Sequence, residues 1–226
     1  MTELKPPALD AYWEKLVAHL RPFSPDEQRT AVELYRQLAK GKAVDAAQLG
    51  DALGVSTVEA RALLEREAIK AFVYPDAQGR VVGFGGLAAA PMHHRFEVSG
   101  RALWTWCAWD SLFIPEILGQ QARVNSPDPE SREVVRLTIS PERVDSVVPA
   151  ETVVSFIQPD AEVFQSSAAN VMANFCHYVF YFASPSSGAR WTAKHPGTFL
   201  YSLDDAFALA KRLNARNFGP ELARRT

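Results

Sequence analysis

Residues 46–87 of the chain read AAQLGDALGVSTVEARALLEREAIKAFVYPDAQGRVVGFGGL, and their apolar and turn residues indicate how the first part folds. The pattern predicts two short helices and then two strands, over residues 46–53, 57–68, 71–74 and 80–87. Another helix precedes them, because Ser24-Pro-Asp-Glu27 has the composition of a capping box. Three helices followed by a β-hairpin predict a winged-helix arrangement.

The predicted helix over residues 57–68 occupies the place of a DNA-recognition helix. Its charged residues are two arginines against three glutamates, a net charge of −1: Arg61, Arg66, Glu59, Glu65 and Glu67. Glu59 lies near the end that would approach phosphate groups, which it would repel. The whole chain also has a net charge of -2, from 24 basic and 26 acidic residues. We therefore expect a packing unit and no nucleic-acid partner.

The remainder of the chain combines segments with strand and helix patterns. Strands are predicted at residues 96–98, 134–139, 153–157 and 171–183, and helices at residues 103–118 and 206–213. The fold class is therefore predicted to be α+β. Residues 1–90 are expected to form the helical, winged-helix-like unit. Residues 91–226 are expected to form a sheet-containing domain with flanking helices and both cysteines, Cys107 and Cys176.

Composition limits the class of protein. Hydrophobic residues make up 47% of the 226 residues and aromatic residues 11%, enough for a buried core and too many for a disordered chain. Residues 1–7 carry charges and prolines where a signal peptide would be apolar, and no apolar run reaches the length of a membrane span. Two cysteines are too few for a disulfide scaffold or a thiolate-rich zinc site. We expect a soluble, cytoplasmic protein without a membrane partner, whose thiols stay reduced.

The segment Leu103-Trp-Thr-Trp-Cys-Ala-Trp-Asp110 has a thiol three residues before a carboxylate. On a helix, Cys107 and Asp110 would share a face, and the carboxylate could take the proton of the thiol and return it later. The alternative from the residues alone is a buried structural cysteine beside a surface aspartate. Three tryptophans of the segment fit either a pocket wall or the core: Trp104, Trp106 and Trp109.

The other candidate residues carry weaker signals. Cys176 lies in a segment with the composition of a buried strand, where a core cysteine is the alternative to a functional one. The tandem pair His93-His94 is expected on the surface, and His195 is expected to make structural hydrogen bonds in a turn. The run Gly83-Phe-Gly-Gly86 lacks the following helix that a phosphate-binding loop requires.

Several segments, in order, resemble the bacterial organomercurial lyases, also called alkylmercury lyases. The resemblance rests on Arg101-Ala-Leu-Trp-Thr-Trp-Cys-Ala-Trp-Asp110, Phe113-Ile-Pro-Glu-Ile-Leu-Gly119, Ala122-Arg-Val124, Asn174-Phe-Cys-His177, Phe182-Ala-Ser184, Trp191-Thr-Ala-Lys-His-Pro-Gly197 and Ala206-Phe207. It spans most of the chain and is strong from about Phe96 onward. It implies an enzyme of mercury detoxification that cleaves the carbon–mercury bond by protonolysis, giving a hydrocarbon and Hg(II).

The resemblance also implies the site and its partners. It assigns the two essential cysteines of the family to Cys107 and Cys176 and the catalytic aspartate to Asp110, and the same residues would hold Hg(II) as product without an organic cofactor. The implied partners are an organomercurial substrate, low-molecular-weight thiols and a mercuric reductase that accepts Hg(II). At two places where the family often has further cysteines, this chain has none: position 177 is a histidine, and no cysteine follows soon after Val124. These departures concern the handoff of Hg(II) rather than the cleavage.

Three other functions fit the two cysteines. A non-enzymatic protein would hold soft metals such as Hg or Cu on its thiols, but it has no need of an acid at Asp110. A metal-responsive winged-helix regulator is opposed by the acidic helix over residues 57–68. A structural or redox disulfide between Cys107 and Cys176 is permitted by the 69 positions that separate them, and two free thiols would exclude it.

Overall fold

The computed structural model describes residues 5–158 and 160–223 of the chain. Its first part is helical: α1 Leu9–Ala18, α2 Pro25–Leu38, α3 Ala46–Leu53, α4 Thr57–Leu64 and α5 Glu67–Lys70. Capping boxes start three of these helices, and the side chain of the residue just before each helix accepts from the amide three positions later: Ser24, Asp45 and Ser56. The helix predicted over residues 57–68 is divided, with extended backbone angles at Arg66 between α4 and α5.

Strands from both parts of the chain join in one antiparallel sheet. They are β1 Val73–Pro75, β2 Val81–Phe84, β3 Leu87–Ala88, β4 His94–Val98, β5 Arg101–Thr105, β6 Ala122–Pro127, β7 Val134–Ile139 and β8 Val144–Val148. Their order in the described residues is β1-β2-β3-β5-β4-β6-β7-β8. The predicted hairpin is confirmed as β1 and β2, and β3 links it to β5 by pairing Leu87 with Thr105. The predicted domain boundary at residue 90 therefore falls between two strands of this sheet.

A smaller antiparallel sheet has the order β10-β9-β11, formed by β9 Val153–Ile157, β10 Tyr181–Phe182 and β11 Thr198–Ser202. The helices that follow β5 in the chain are α6 Asp110–Leu118, α7 Ala161–Phe164, α8 Ala168–Asn174, α9 Pro185–Thr192 and α10 Leu203–Ala223. The Ser202 hydroxyl accepts from the amide of Asp205 at 3.0 Å and so caps α10. Among the described helices, none combines the length and the apolar character that a bilayer crossing needs. The mixed helix-and-sheet composition expected from the sequence is confirmed.

The segment around the first cysteine differs from the helical region, interrupted at Pro115, that the sequence predicts over residues 103–118, and α6 runs through Pro115. The first residues of this segment belong to β5, and α6 begins only at Asp110. Leu103 and Thr105 are buried while Trp104 between them is partly exposed, which is the period of two that a strand requires. The first cysteine, Cys107, therefore lies in a short loop that connects a strand to a helix.

The prediction of a strand over residues 171–183 is wrong. This segment contains most of α8, a 3-10 turn at Cys176–Tyr178 and only the short strand β10. Ser167 caps α8, because its hydroxyl accepts from the amide of Asn170 at 3.2 Å. That local cap and the surrounding packing outweigh the β-branched and aromatic composition that favours a strand.

Helix α1 packs on the smaller sheet through one tyrosine. Tyr12 is fully buried, and its ring makes edge-on contacts with the rings of three residues from β9 and β11: Phe156, Phe199 and Tyr201. Its hydroxyl donates to the carbonyl of Ile157 at 3.0 Å. Helix α2 in turn packs on α6 and α10, so the N-terminal helices cover the helix that begins at Asp110.

Candidate active site

The structure brings together the three residues that the sequence singles out. Cys107 lies in the loop between β5 and α6, Asp110 is the first residue of α6, and Cys176 opens the 3-10 turn after α8. Their exposed fractions are 0%, 6% and 4%. One sulfur or carboxylate oxygen from each residue lies within 4.8 Å of the others. Within the described part of the chain, these are the side chains that one soft metal ion could contact together.

The Asp110 carboxylate faces back toward the first cysteine. Its Oδ2 atom accepts a hydrogen bond from the backbone amide of Cys107 at 2.7 Å. The same loop is tied to the segment of the second cysteine, because the Ala108 amide donates to the carbonyl of Val179 at 3.0 Å. Backbone hydrogen bonds thus hold the carboxyl and both cysteine segments in one arrangement.

Burial makes the Asp110 carboxyl an unusually weak acid. Desolvation raises its pKa to about 7, although hydrogen bonds from the thiol and the amide of Cys107 oppose this rise. A carboxyl with this pKa exchanges its proton near neutral pH, as a general acid in this environment must. The side chain can therefore accept a proton from a thiol and keep it available for transfer.

The two thiols differ in their hydrogen bonding. Burial raises the pKa of Cys107 well above its usual value, and the hydrogen bond to Cys176 and the charge of Asp110 add to this effect. The hydrogen bond from Cys107 lowers the pKa of Cys176, but burial and the Asp110 charge leave that pKa raised overall. Both thiols are therefore protonated at neutral pH until a ligand or a base takes their protons. Both cysteines are free, so the disulfide considered from the sequence is not formed.

An apolar cavity of about 80 Å³ lies beside these three residues. Asp110 and Cys176 line it, whereas the fully buried Cys107 lies behind them. Trp106 and Trp109 also line the cavity, which identifies two of the three tryptophans as part of its wall. Aliphatic and aromatic side chains from several helices, from β2 and from the connecting segments form most of the remaining wall, and Arg21 and Asn217 add polar atoms to it. The cavity therefore suits a small nonpolar group.

The N-terminal part contributes residues to which the sequence assigned no role in the site. The glycine run at residues 83–86 ends β2 and turns into β3, and Gly86 lies directly against the Asp110 carboxyl. Tyr35 of α2 lines the cavity and donates a hydrogen bond to the carbonyl of Gly85 at 2.6 Å. Two adjacent glycines do signal a special turn or a close approach, but the sequence does not show what approaches them.

The histidines lie outside the group of three. The prediction of a surface position is wrong for His94, which is fully buried with its Nδ1 atom 2.8 Å from the hydroxyl of Ser126. Burial lowers its pKa well below the usual value, so the ring is neutral at pH 7. The structural role of His195 is confirmed, because its Nδ1 atom lies 2.8 Å from the carbonyl of Trp191. His177 is exposed, although it follows Cys176 directly.

Two buried thiols, a carboxyl that titrates near neutral pH and an adjacent nonpolar cavity define an enzyme site for a soft metal that carries an organic group. A family model described as alkylmercury lyase (MerB) matches residues 87–215. The chain belongs to the alkylmercury lyase family, and it is an enzyme of that family.

Relatives and a solved structure agree with this assignment. An alkylmercury lyase of Pseudomonas putida is 40% identical over 186 residues, which cover 82% of this chain and 83% of that protein. An alkylmercury lyase of Staphylococcus epidermidis is 38% identical over 183 residues, which cover 81% of this chain and 80% of that protein. The mercury-bound form of MerB2 has a TM-score of 0.71 with this chain, at 21% identity, over 91% of this chain and 96% of that chain. At that identity the likeness shows the fold.

Proposed function

We propose that this alkylmercury lyase cleaves organomercurials by protonolysis, with Cys107 and Cys176 as the mercury ligands and Asp110 as the proton donor. The observation that supports these roles is the approach of the three ligand atoms to within 4.8 Å of one another in a buried site. One mercury atom can contact all three groups at such distances. The nonpolar cavity beside them receives the organic group.

The chemistry requires these residue types. Mercury(II) is a soft cation, so thiolates are its preferred protein ligands. One thiolate on an R–Hg group gives a stable linear complex. A second thiolate pushes electron density onto mercury, which weakens the Hg–C bond and makes the carbon a better proton acceptor. The protonated Asp110 beside the thiols then supplies the proton, without an organic cofactor.

The protons and bonds balance over three steps. One enzyme thiol displaces the thiol that carries the R–Hg group, and its proton leaves with that thiol. The second enzyme thiol gives its proton to the Asp110 carboxylate as its sulfur binds mercury. Asp110 passes this proton to the carbon as the Hg–C bond breaks. The hydrocarbon leaves, and Hg(II) stays on Cys107 and Cys176 with the Asp110 carboxylate as a weak third ligand.

Release of Hg(II) depends on outside acceptors in this proposal, because both cysteines of the chain hold the product. Low-molecular-weight thiols exchange with the two thiolates. A mercuric reductase is the acceptor that would complete the detoxification. The proposal therefore assigns the enzyme to the cytoplasm, where thiols stay reduced.

Residues 1–90 form a winged-helix-like packing unit in this proposal, ahead of the catalytic residues 91–226. Helices α2, α3 and α4 followed by the hairpin β1–β2 support the arrangement. The Glu59 carboxylate accepts from the amide and the hydroxyl of Ser56 at 2.9 and 2.7 Å, so the start of α4 carries a carboxylate where a DNA reader needs donors. The unit therefore serves the protein itself rather than a regulatory site on DNA.

Headspace analysis of the released hydrocarbon tests the proposal. With excess thiol, the wild-type protein should release benzene from phenylmercury, whereas Cys107→Ser, Cys176→Ser and Asp110→Asn should each lose that release. Asp110→Asn should still bind the mercurial, because both thiols remain. His177→Ala is the matched control and should retain turnover, since His177 is exposed and adjacent to Cys176 in the chain.

The outcomes separate the candidate functions. Near-normal turnover in one of the three variants would remove the role assigned to that residue. Binding of phenylmercury by the wild-type protein without any benzene would favour a soft-metal thiol-binding protein. Parallel loss of benzene release in the three variants, with mercurial binding kept in Asp110→Asn, would establish the assigned roles.

A further inference from the structure

The turn between β2 and β3 packs its backbone against the acid of the site. Gly85 and Gly86 both have positive φ angles, of 48° and 98°. A Cβ atom on Gly86 would overlap the Asp110 carboxyl, so that the absence of a side chain here is a condition for the carboxyl to fit. The Gly86 carbonyl also accepts from the amide of Trp106 at 2.8 Å, next to Cys107 in the chain.

Helix α2 holds this turn from its other side. The Tyr35 hydroxyl donates to the carbonyl of Gly85 at 2.6 Å, and a Cβ atom on Gly85 would overlap that hydroxyl. Tyr35 is buried, and its ring packs edge-on against the ring of Phe84 at 5.3 Å. The Gly85 amide donates in turn to the carbonyl of Phe72 at 3.1 Å. The turn therefore has little freedom to move away from Asp110.

We propose that Tyr35 and Gly86 are positioning residues for the proton transfer, which hold the Asp110 carboxyl against the Cys107 amide and exclude water from its other edge. This inference rests on the proton-donor role proposed above for Asp110. Both residues precede residue 87, where the match to the family model begins. The N-terminal unit thus builds part of the site instead of only covering it.

The geometry leaves the carboxyl two fixed neighbours. Its Oδ2 atom accepts from the Cys107 amide at 2.7 Å, and its opposite edge faces the backbone of Gly86. The titratable groups that face it from the packed elements are Cys107, Cys176, Tyr35 and Tyr181, and the charge of Asp110 raises the pKa of each of them. Removal of the Tyr35 hydroxyl would leave the Gly85 carbonyl buried without this donor, and the turn would loosen. The hydroxyl bonds the Gly85 carbonyl and not a thiol, so mercury binding should be spared.

Single-turnover kinetics of Tyr35→Phe test the inference. Absorbance of the mercury–thiolate bonds measures binding of phenylmercury, and benzene release measures proton transfer. Binding should stay within about twofold of the wild type, while release should slow about tenfold, since small misplacement of reacting groups costs one to two orders of magnitude in rate. The solvent deuterium isotope effect on release should rise, because proton transfer becomes more strongly rate-limiting.

Tyr201→Phe is the matched control. Its hydroxyl also donates to a backbone carbonyl, that of Pro7 at 2.8 Å, but it does not line the cavity. It should leave both steps and the isotope effect unchanged at a temperature where both variants are folded. Gly86→Ala adds a harsher test and should slow release roughly a hundredfold with binding kept. If that variant fails to fold, Tyr35→Phe alone decides.

The outcomes distinguish this inference from the proposed function. Release by Tyr35→Phe within twofold of the wild type, or equal slowing of binding and release, would overturn the positioning role. If Asp110→Asn blocks release and Tyr35→Phe does not, only the positioning role fails. If Asp110→Asn releases benzene at the wild-type rate, the proton-donor role fails and the positioning role fails with it.

Discussion

Replacement of Asp110 by asparagine should stabilise the folded protein above neutral pH while it removes the proton donor. Burial raises the pKa of this carboxyl from an ordinary value of 3.8 to about 7. The folded state therefore binds the proton more tightly than the unfolded chain does. The contribution of this group to the unfolding free energy is fully present below about pH 4 and is lost as the pH rises through about 7. The complete difference corresponds to roughly 4 kcal/mol of unfolding free energy.

Asparagine keeps an oxygen for the Cys107 amide and carries no charge, so the variant escapes this loss. Between about pH 5 and about pH 8, the wild type should lose roughly 2–3 kcal/mol of unfolding free energy relative to Asp110→Asn. Urea denaturation of both proteins at the two pH values, with thiols kept reduced, measures the difference. An equal pH dependence in the two proteins would refute the assignment of a buried carboxyl with a raised pKa.

Other perturbations test the mercury site, the hydrogen bonds of a buried carboxylate and the cavity. Stoichiometric Hg(II) should raise the thermal unfolding temperature, because it binds the native thiols. The Cys176→Ser variant should show little of this rise in unfolding temperature, and excess dithiol should reverse the rise in the wild type. Asp128→Ala should lower the unfolding free energy in urea by about 2–4 kcal/mol, since its buried carboxylate accepts from three backbone amides, including that of Ala183. Phe164→Ala should raise benzene release from phenylmercury relative to methane release from methylmercury, because Phe164 lines the cavity, and an unchanged ratio would contradict an organic group bound there.

The helix starts could be predicted because their cause is local. A hydroxyl or carboxylate three residues before a Glu or Gln satisfies free amides whatever the rest of the chain does, and Ser24 and Ser56 cap their helices accordingly. Residues 171–183 had no such clear signal. Over so few residues, apolar and aromatic composition fits a buried strand and a buried helix equally well.

The site could be predicted only in part, because it depends on contacts between distant segments. Cys107 and Asp110 are close in sequence, and the chemistry of a thiol beside a carboxyl pointed to them. The approach of Cys176 depends on a tertiary hydrogen bond between loops, which no local pattern encodes. Tyr35 and Gly86 meet Asp110 for the same kind of reason, through the packing of α2 and the turn before β3.

Strand β3 makes residues 87–215, which match the family model, dependent on the residues that precede them. The strand pairs with β2 on one side and β5 on the other. A fragment that started at residue 87, where the family match begins, would keep β3 but lose β2, so that β5 would be the remaining strand partner of β3. It would also lose the glycine turn that packs on Asp110. Anyone who transplants this chemistry into another scaffold must therefore move the acid together with its N-terminal support.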